Sequence, residues 1–125
     1  MTTFGDKEVE IAYEHIVSGD LKKGIEILQE YIKFNPNNLV PMMEIANLYY
    51  ILGEMNHCIE AYEKILEFRP DSVFARYRLG VAHYRATNFV SAVDVLSEII
   101  ESGKNFPMAF IWLGLAYYHL GREEK

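Results

Sequence analysis

The sequence repeats itself every 34 residues. The segment LYYILG (Leu48–Gly53) returns as AYYHLG (Ala116–Gly121) 68 residues later, which is two periods. Displaced by 34, the chain falls into columns. Ile11, Ile45, Leu79 and Leu113 align, followed by Ala12, Ala46, Gly80 and Gly114. His15, Tyr49, His83 and Tyr117 form the next column, beside Ile16, Tyr50, Tyr84 and Tyr118. Gly19, Gly53 and Gly121 share a column whose remaining slot holds Thr87. Gly24, Cys58 and Ala92 make a small-residue column, Leu28, Tyr62 and Leu96 a large one, and Pro36 and Pro70 close the first two units. A fixed period of this length means stacked supersecondary units, each too small to bury its apolar face alone.

Each column has a physical reason. Ile45, Leu48, Tyr49 and Leu52 recur at helical spacing, as do Ile59, Tyr62, Ile65 and Leu66. Gly53 lies between these stripes, where a helix cap needs a positive φ. Pro70 follows the second stripe, where the helix must already have ended. The unit is therefore helix, tight turn, helix, loop. Small columns let two backbones approach, and large columns fill the space beside them. The spacing predicts helices over 6–18, 21–34, 39–52, 55–68, 73–86, 89–102 and 107–120.

The pattern resembles the tetratricopeptide repeat. LGLAYYHLG (Leu113–Gly121) matches the first half of that family's unit, and IANLYYILGEMNHCIEAYEKILEFRP (Ile45–Pro70) matches almost all of one. The resemblance implies an all-α fold, an α-solenoid of helix-turn-helix repeats. About three and a half repeats and seven helices would form a single domain over 1–125. Its units would be 5–38, 39–72, 73–106 and a half-repeat at 107–125. Two departures stand out. The family's tryptophan column holds Glu8, Met42, Arg76 and Phe110, and Lys104 stands where the third unit's proline belongs, so the loop SGKNFP should differ in shape.

Residues that carry chemistry are sparse. There is no phosphate loop, dinucleotide fingerprint or nucleophile elbow. The four histidines lack the three- or four-residue helical spacing that metal sites use. Cys58, the one cysteine, is adjacent to His57, but neighbours on a helix point about 100° apart. Cys58 reads as a buried packing residue. A lone cysteine also fits a reducing compartment, hence a cytoplasmic location. The net charge of −6 argues against nucleic acid and anionic membrane surfaces as partners. No cofactor is expected, and an enzyme is the remote reading.

The resemblance places the first helix of each unit on a concave, peptide-binding groove. It implies as groove residues Tyr13, Met43, Asn47, Tyr50, Phe74, Tyr77, Arg78, Val81, Tyr84, Arg85, Ile111, Trp112 and Tyr118. These types, rich in tyrosine, tryptophan, methionine and arginine, are the ones enriched at interface cores. Arg78 and Arg85 share a helix face and suit a ligand carboxylate. For Arg78 a structural pairing with Glu44, one repeat earlier, is the equal alternative. The family's clamp for acidic chaperone tails would require lysine or asparagine at Val9, Tyr13, Glu44 and Phe74. Only Arg78 fits it, so such a tail is not the expected partner. The expected function is a non-catalytic protein-interaction module, acting as scaffold, chaperone or assembly factor, with a protein or peptide partner.

The alternative is self-association. A terminal helix of a solenoid needs a polar outer face. The first helix meets this with Asp6, Lys7, Glu8, Glu10 and Glu14, whereas Pro107–Gly121 contains no Asp, Glu, Lys or Arg. Phe110, Trp112, Tyr117 and Tyr118 are the expected contact residues of a homodimer through helix 107–120, unless the chain continues into further repeats.

Overall fold

The structure is a computed structural model and describes residues 4–123. The charged side chain expected on the surface at Asp6 lies outside the described side chains. Among the described residues there are seven helices and no strand: α1 (Phe4–Val17), α2 (Leu21–Phe34), α3 (Leu39–Leu52), α4 (Met55–Phe68), α5 (Val73–Arg85), α6 (Phe89–Glu101) and α7 (Pro107–Glu123). The chain divides into two compact units, residues 1–54 and 55–125, which part inside the second repeat.

In the first unit α1 packs on α2 and α2 on α3. The core is Ala12, Ile25, Leu28, Ile45 and Leu48, flanked by Val9, Ile16, Leu21, Tyr49 and Leu52. A methyl on Gly24 would come within 2.6 Å of Ile16 Cγ1, so the small column sets how closely α2 approaches α1. In the second unit α4 packs on α5, α5 on α6, α6 on α7, and α7 also returns to α5. Leu96, Ile99 and Ala109 are buried there beneath Val73, Tyr77, Phe106, Trp112 and Leu113. Gly80 repeats the close approach, since its Cβ would meet Leu96 Cδ2 at 2.6 Å and Cγ at 2.7 Å.

The turns explain the glycine column. After α1, Gly19 N–H bonds to Ile16 C=O at 3.1 Å and Asp20 N–H to His15 C=O at 2.8 Å. Gly53 and Glu54 repeat that pair of bonds after α3, and Thr87 and Asn88 repeat it after α5. This double closure is the Schellman turn, which requires a left-handed residue. Gly19 and Gly53 supply it at φ +96° and +80°, and Thr87 is forced to φ +64°. A β-branched residue there is strained by ~1–2 kcal/mol, while glycine costs ~0.5–1 kcal/mol more in chain entropy. Thr87→Gly should therefore stabilise by about 0.5–1 kcal/mol. Thermal unfolding checks this: Tm should rise by a few degrees, and a fall would mean the strain is relieved by other contacts.

The second-helix loops are also repeated. Asn38 N–H bonds to Asn35 C=O and Ser72 N–H to Arg69 C=O, each bond spanning the closing proline. Asn38 and Ser72 then cap α3 and α5 through Val40 N–H and Ala75 N–H, both at 3.2 Å. The third loop differs, as the lost proline predicts. Gly103 takes φ +77° and bonds to Ile100 C=O. Phe106 folds in against Tyr77, with ring centroids 4.8 Å apart, and Pro107 opens α7, where a missing N–H costs nothing.

One expected boundary moves. α7 runs through Gly121 to Glu123 instead of ending before the glycine. Gly121 is not among the positive-φ residues. Among the described residues no packed helix follows that would call for a turn at this point. Arg122 and Glu123 are good helix formers.

Candidate interaction surface

The first-unit candidates lie on α1 and α3. Tyr13 is exposed, and Met43, Asn47 and Tyr50 are half-buried. Burial, then the nearby Glu44 carboxylate, raises the Tyr13 pKa, so its hydroxyl stays protonated and able to donate.

The second-unit candidates lie on α5 and α7, which an aromatic network holds together. Trp112 Nε1–H donates to Tyr77 Oη at 2.9 Å. Tyr84 Oη and His119 Nε2 share a hydrogen bond of 2.9 Å. The Tyr84 ring stands edge-on to Trp112 at 5.2 Å, and His119 stacks on Phe89 at 4.6 Å. The sequence groups Tyr77, Tyr84 and Trp112 as groove residues, and here they meet one another. Their polar tips are used inside the unit. Phe89 and His119 complete the network; His119 shares a column with Arg85, but only the stacking shows what it does.

The remaining candidates separate by exposure. Phe74, Arg85, Ile111 and Tyr118 face solvent, while Val81 is 1% exposed and offers a ligand no surface. Arg78 Nε donates to Tyr62 Oη at 3.2 Å, so a structural partner exists for it, one that column matching does not suggest. Arg76 is held by Glu98 at 3.1 Å and by the Pro70 carbonyl at 2.9 Å. On α7 the expected self-association residues split: Phe110, Tyr117 and Tyr118 are exposed, whereas Trp112 is partly buried in the core.

Cys58 is fully buried. Burial pushes its thiol up to about 11, against a smaller opposing pull from Arg78. At pH 8 roughly a thousandth of it is ionised, and the thiolate is the reactive form. Native protein should thus resist alkylation at Cys58 by at least ~100-fold relative to urea-unfolded protein, where the ordinary pKa of ~8.5 returns. Equal labelling rates by mass spectrometry would contradict this. Among the described residues no three of His, Cys, Asp and Glu gather where one metal ion could bind, and no helix is long and apolar enough to cross a membrane.

A tetratricopeptide-repeat model matches residues 42–72. Among curated proteins none matches the sequence significantly. Solved structures of MamA proteins are similar in fold. A MamA chain from Desulfovibrio magneticus RS-1 superposes with TM-score 0.81 at 22% identity, covering 94% of this chain and 66% of that one. An RS-1 MamA double mutant gives 0.84 at 22% identity, over 99% and 70%. A further MamA structure gives 0.83 at 25% identity, over 96% and 66%. The chain thus spans about two thirds of the length of these proteins, and the likeness shows the α-solenoid fold. The 34-residue columns and the repeated turns carry through the other units the pattern that the tetratricopeptide-repeat model matches at residues 42–72.

Proposed function

We propose that this chain is a non-catalytic protein-interaction module that holds an extended or helical segment of a partner protein against its first helices. The observation that carries this reading is on the second unit. Phe74, Ile111 and Tyr118, with exposures of 51 to 58%, stand in solvent on α5 and α7, the two helices that the hydrogen-bonded aromatic network joins. Rigid, exposed aromatic side chains are what interface hot spots are made of. Arg85 lies on the same stripe and suits an acidic group on the partner. Tyr13, Met43, Asn47 and Tyr50 are the corresponding contacts proposed on the first unit. The acidic net charge favours a protein partner over nucleic acid or an anionic membrane. The lone buried cysteine supports a reducing, cytoplasmic setting.

The test is capture of partners by wild-type chain against a Phe74→Ala/Tyr118→Ala double variant. Both side chains are exposed, so the fold should survive, and captured partners should be lost. Capture undiminished with an unchanged circular dichroism spectrum would remove this surface from consideration. Arg85→Glu should also weaken an acidic partner, and equal or tighter binding would remove the anion anchor.

A second reading is favoured by one observation. α7 exposes Phe110, Ile111, Tyr117 and Tyr118, each more than half accessible, with one charge beside them, the Arg122 guanidinium that donates to Tyr118 Oη at 3.2 Å. Such a patch marks a contact site, and self-association through it is the alternative mode.

A further inference from the structure

The exposed face of α7 is self-complementary. At 3.6 residues per turn, Phe110 and Tyr118 lie about 40° to either side of Gly114, and Ile111 and Tyr117 about 60° to either side. Their exposures are 60, 58, 55 and 54%. Gly114 sits at the centre of this stripe, and a Cβ built on it would meet nothing within 4 Å. Pro107 and Gly121 flank it at equal distance along the helix. The apolar face therefore keeps the same arrangement when the helix is reversed end for end.

The repeat indicates what a face in this register receives. Gly80 is one period before Gly114, and there α6, returning after the Thr87 turn, lays Leu96 directly over the glycine. Among the described residues no helix of the chain does the same for Gly114. The column of Arg76, which pairs with Glu98 on α6, holds Phe110 on α7, so the covering helix here should be apolar where α6 is acidic. A second α7 meets both requirements. Phe110, Ile111, Leu115, Tyr117 and Tyr118 are 39 to 60% exposed. At ~200 Å² for a large side chain they offer on the order of 500 Å² per copy, so two copies reach the ~1,000 Å² that a specific interface should clear.

We propose that two copies of this chain associate through α7, crossing antiparallel on a two-fold axis at Gly114. The proposal rests on the self-association reading above. Phe110 then meets the partner's Tyr117, and Ile111 meets the partner's Tyr118, each contact occurring twice, as a closed isologous dimer requires. Gly114 allows the two backbones to approach, as Gly80 does for α6.

Light scattering on the 125-residue chain should give twice the mass of one 14.5 kDa chain. Gly114→Arg has room for its side chain in the monomer, so it should keep the helical circular dichroism signal and reduce the mass to that of one chain. Gly114→Cys should form a covalent dimer under mild oxidation, whereas Val90→Cys, exposed on α6, should not. A dimer that survives Gly114→Arg and fails to cross-link through Gly114→Cys would overturn the crossing while leaving self-association in place. A wild-type chain that stays monomeric at high concentration would overturn both and leave this face for a different helix.

Discussion

Leu96→Ala should cost about 3 kcal/mol, and Leu96→Ala combined with Gly80→Ala should cost less than the sum of the two single changes. Leu96 is fully buried and its side chain lies on Gly80. Removing it leaves a cavity in the core of the second unit, which typically costs ~2–5 kcal/mol. Gly80→Ala alone gains ~1 kcal/mol of helix propensity but drives its methyl into Leu96 Cγ and Cδ2, and overpacking costs ~1–3 kcal/mol. Leu96 is enclosed on all sides, so the clash should win. In the double variant the new methyl occupies space that the leucine has left. Urea denaturation of the four proteins gives the coupling energy, expected at roughly 1–2 kcal/mol of mutual relief. Strict additivity would mean that the small column does not set the α5–α6 approach.

Trp112→Ala is the second large effect, at about 2–3 kcal/mol, somewhat below the ~3–5 kcal/mol of a fully buried ring because this one is partly exposed. Trp112→Phe should cost only about 1 kcal/mol from the indole hydrogen bond, since a ring remains beside Tyr84 and the Leu96–Ile99–Ala109 core. Tyr77→Phe removes the same bond from its other end, so its cost should be similar. If Trp112→Phe destabilised as much as Trp112→Ala, the hydrogen bond would outweigh ring burial and the packing argument would fail. These variants also test the proposed surface, because Tyr118 borders the network through its ring contact with His119.

The columns made the helices legible because each records a backbone requirement. Gly53 and Pro70 mark where helices stop, and the stripes through Ile45 and Ile59 mark where they run. Thr87 in the glycine slot was visible as an exception, and its left-handed backbone shows that the turn prevails over the residue's preference. The end of α7 was less legible, since Gly121 matches the turn column but continues the helix to Glu123. Side-chain pairing was the least legible part. Tyr77 and Trp112 are 35 residues apart, so their hydrogen bond links neighbouring columns and depends on rotamers that periodicity does not encode. Val81 and Tyr84 share a stripe in the sequence, but only packing distinguishes the buried one from the half-exposed one.

The order of helix packing has a kinetic consequence. Within each unit every helix rests on its neighbour in the chain, with α7 on α5 as the longest step. Contacts this local require only short loop closures, and chains of this kind fold in microseconds to milliseconds. A helix pair can form as soon as its own two segments exist, without waiting for a distant strand or terminus. Refolding should therefore lack a slow search phase, and a nascent chain should acquire structure pair by pair as it emerges.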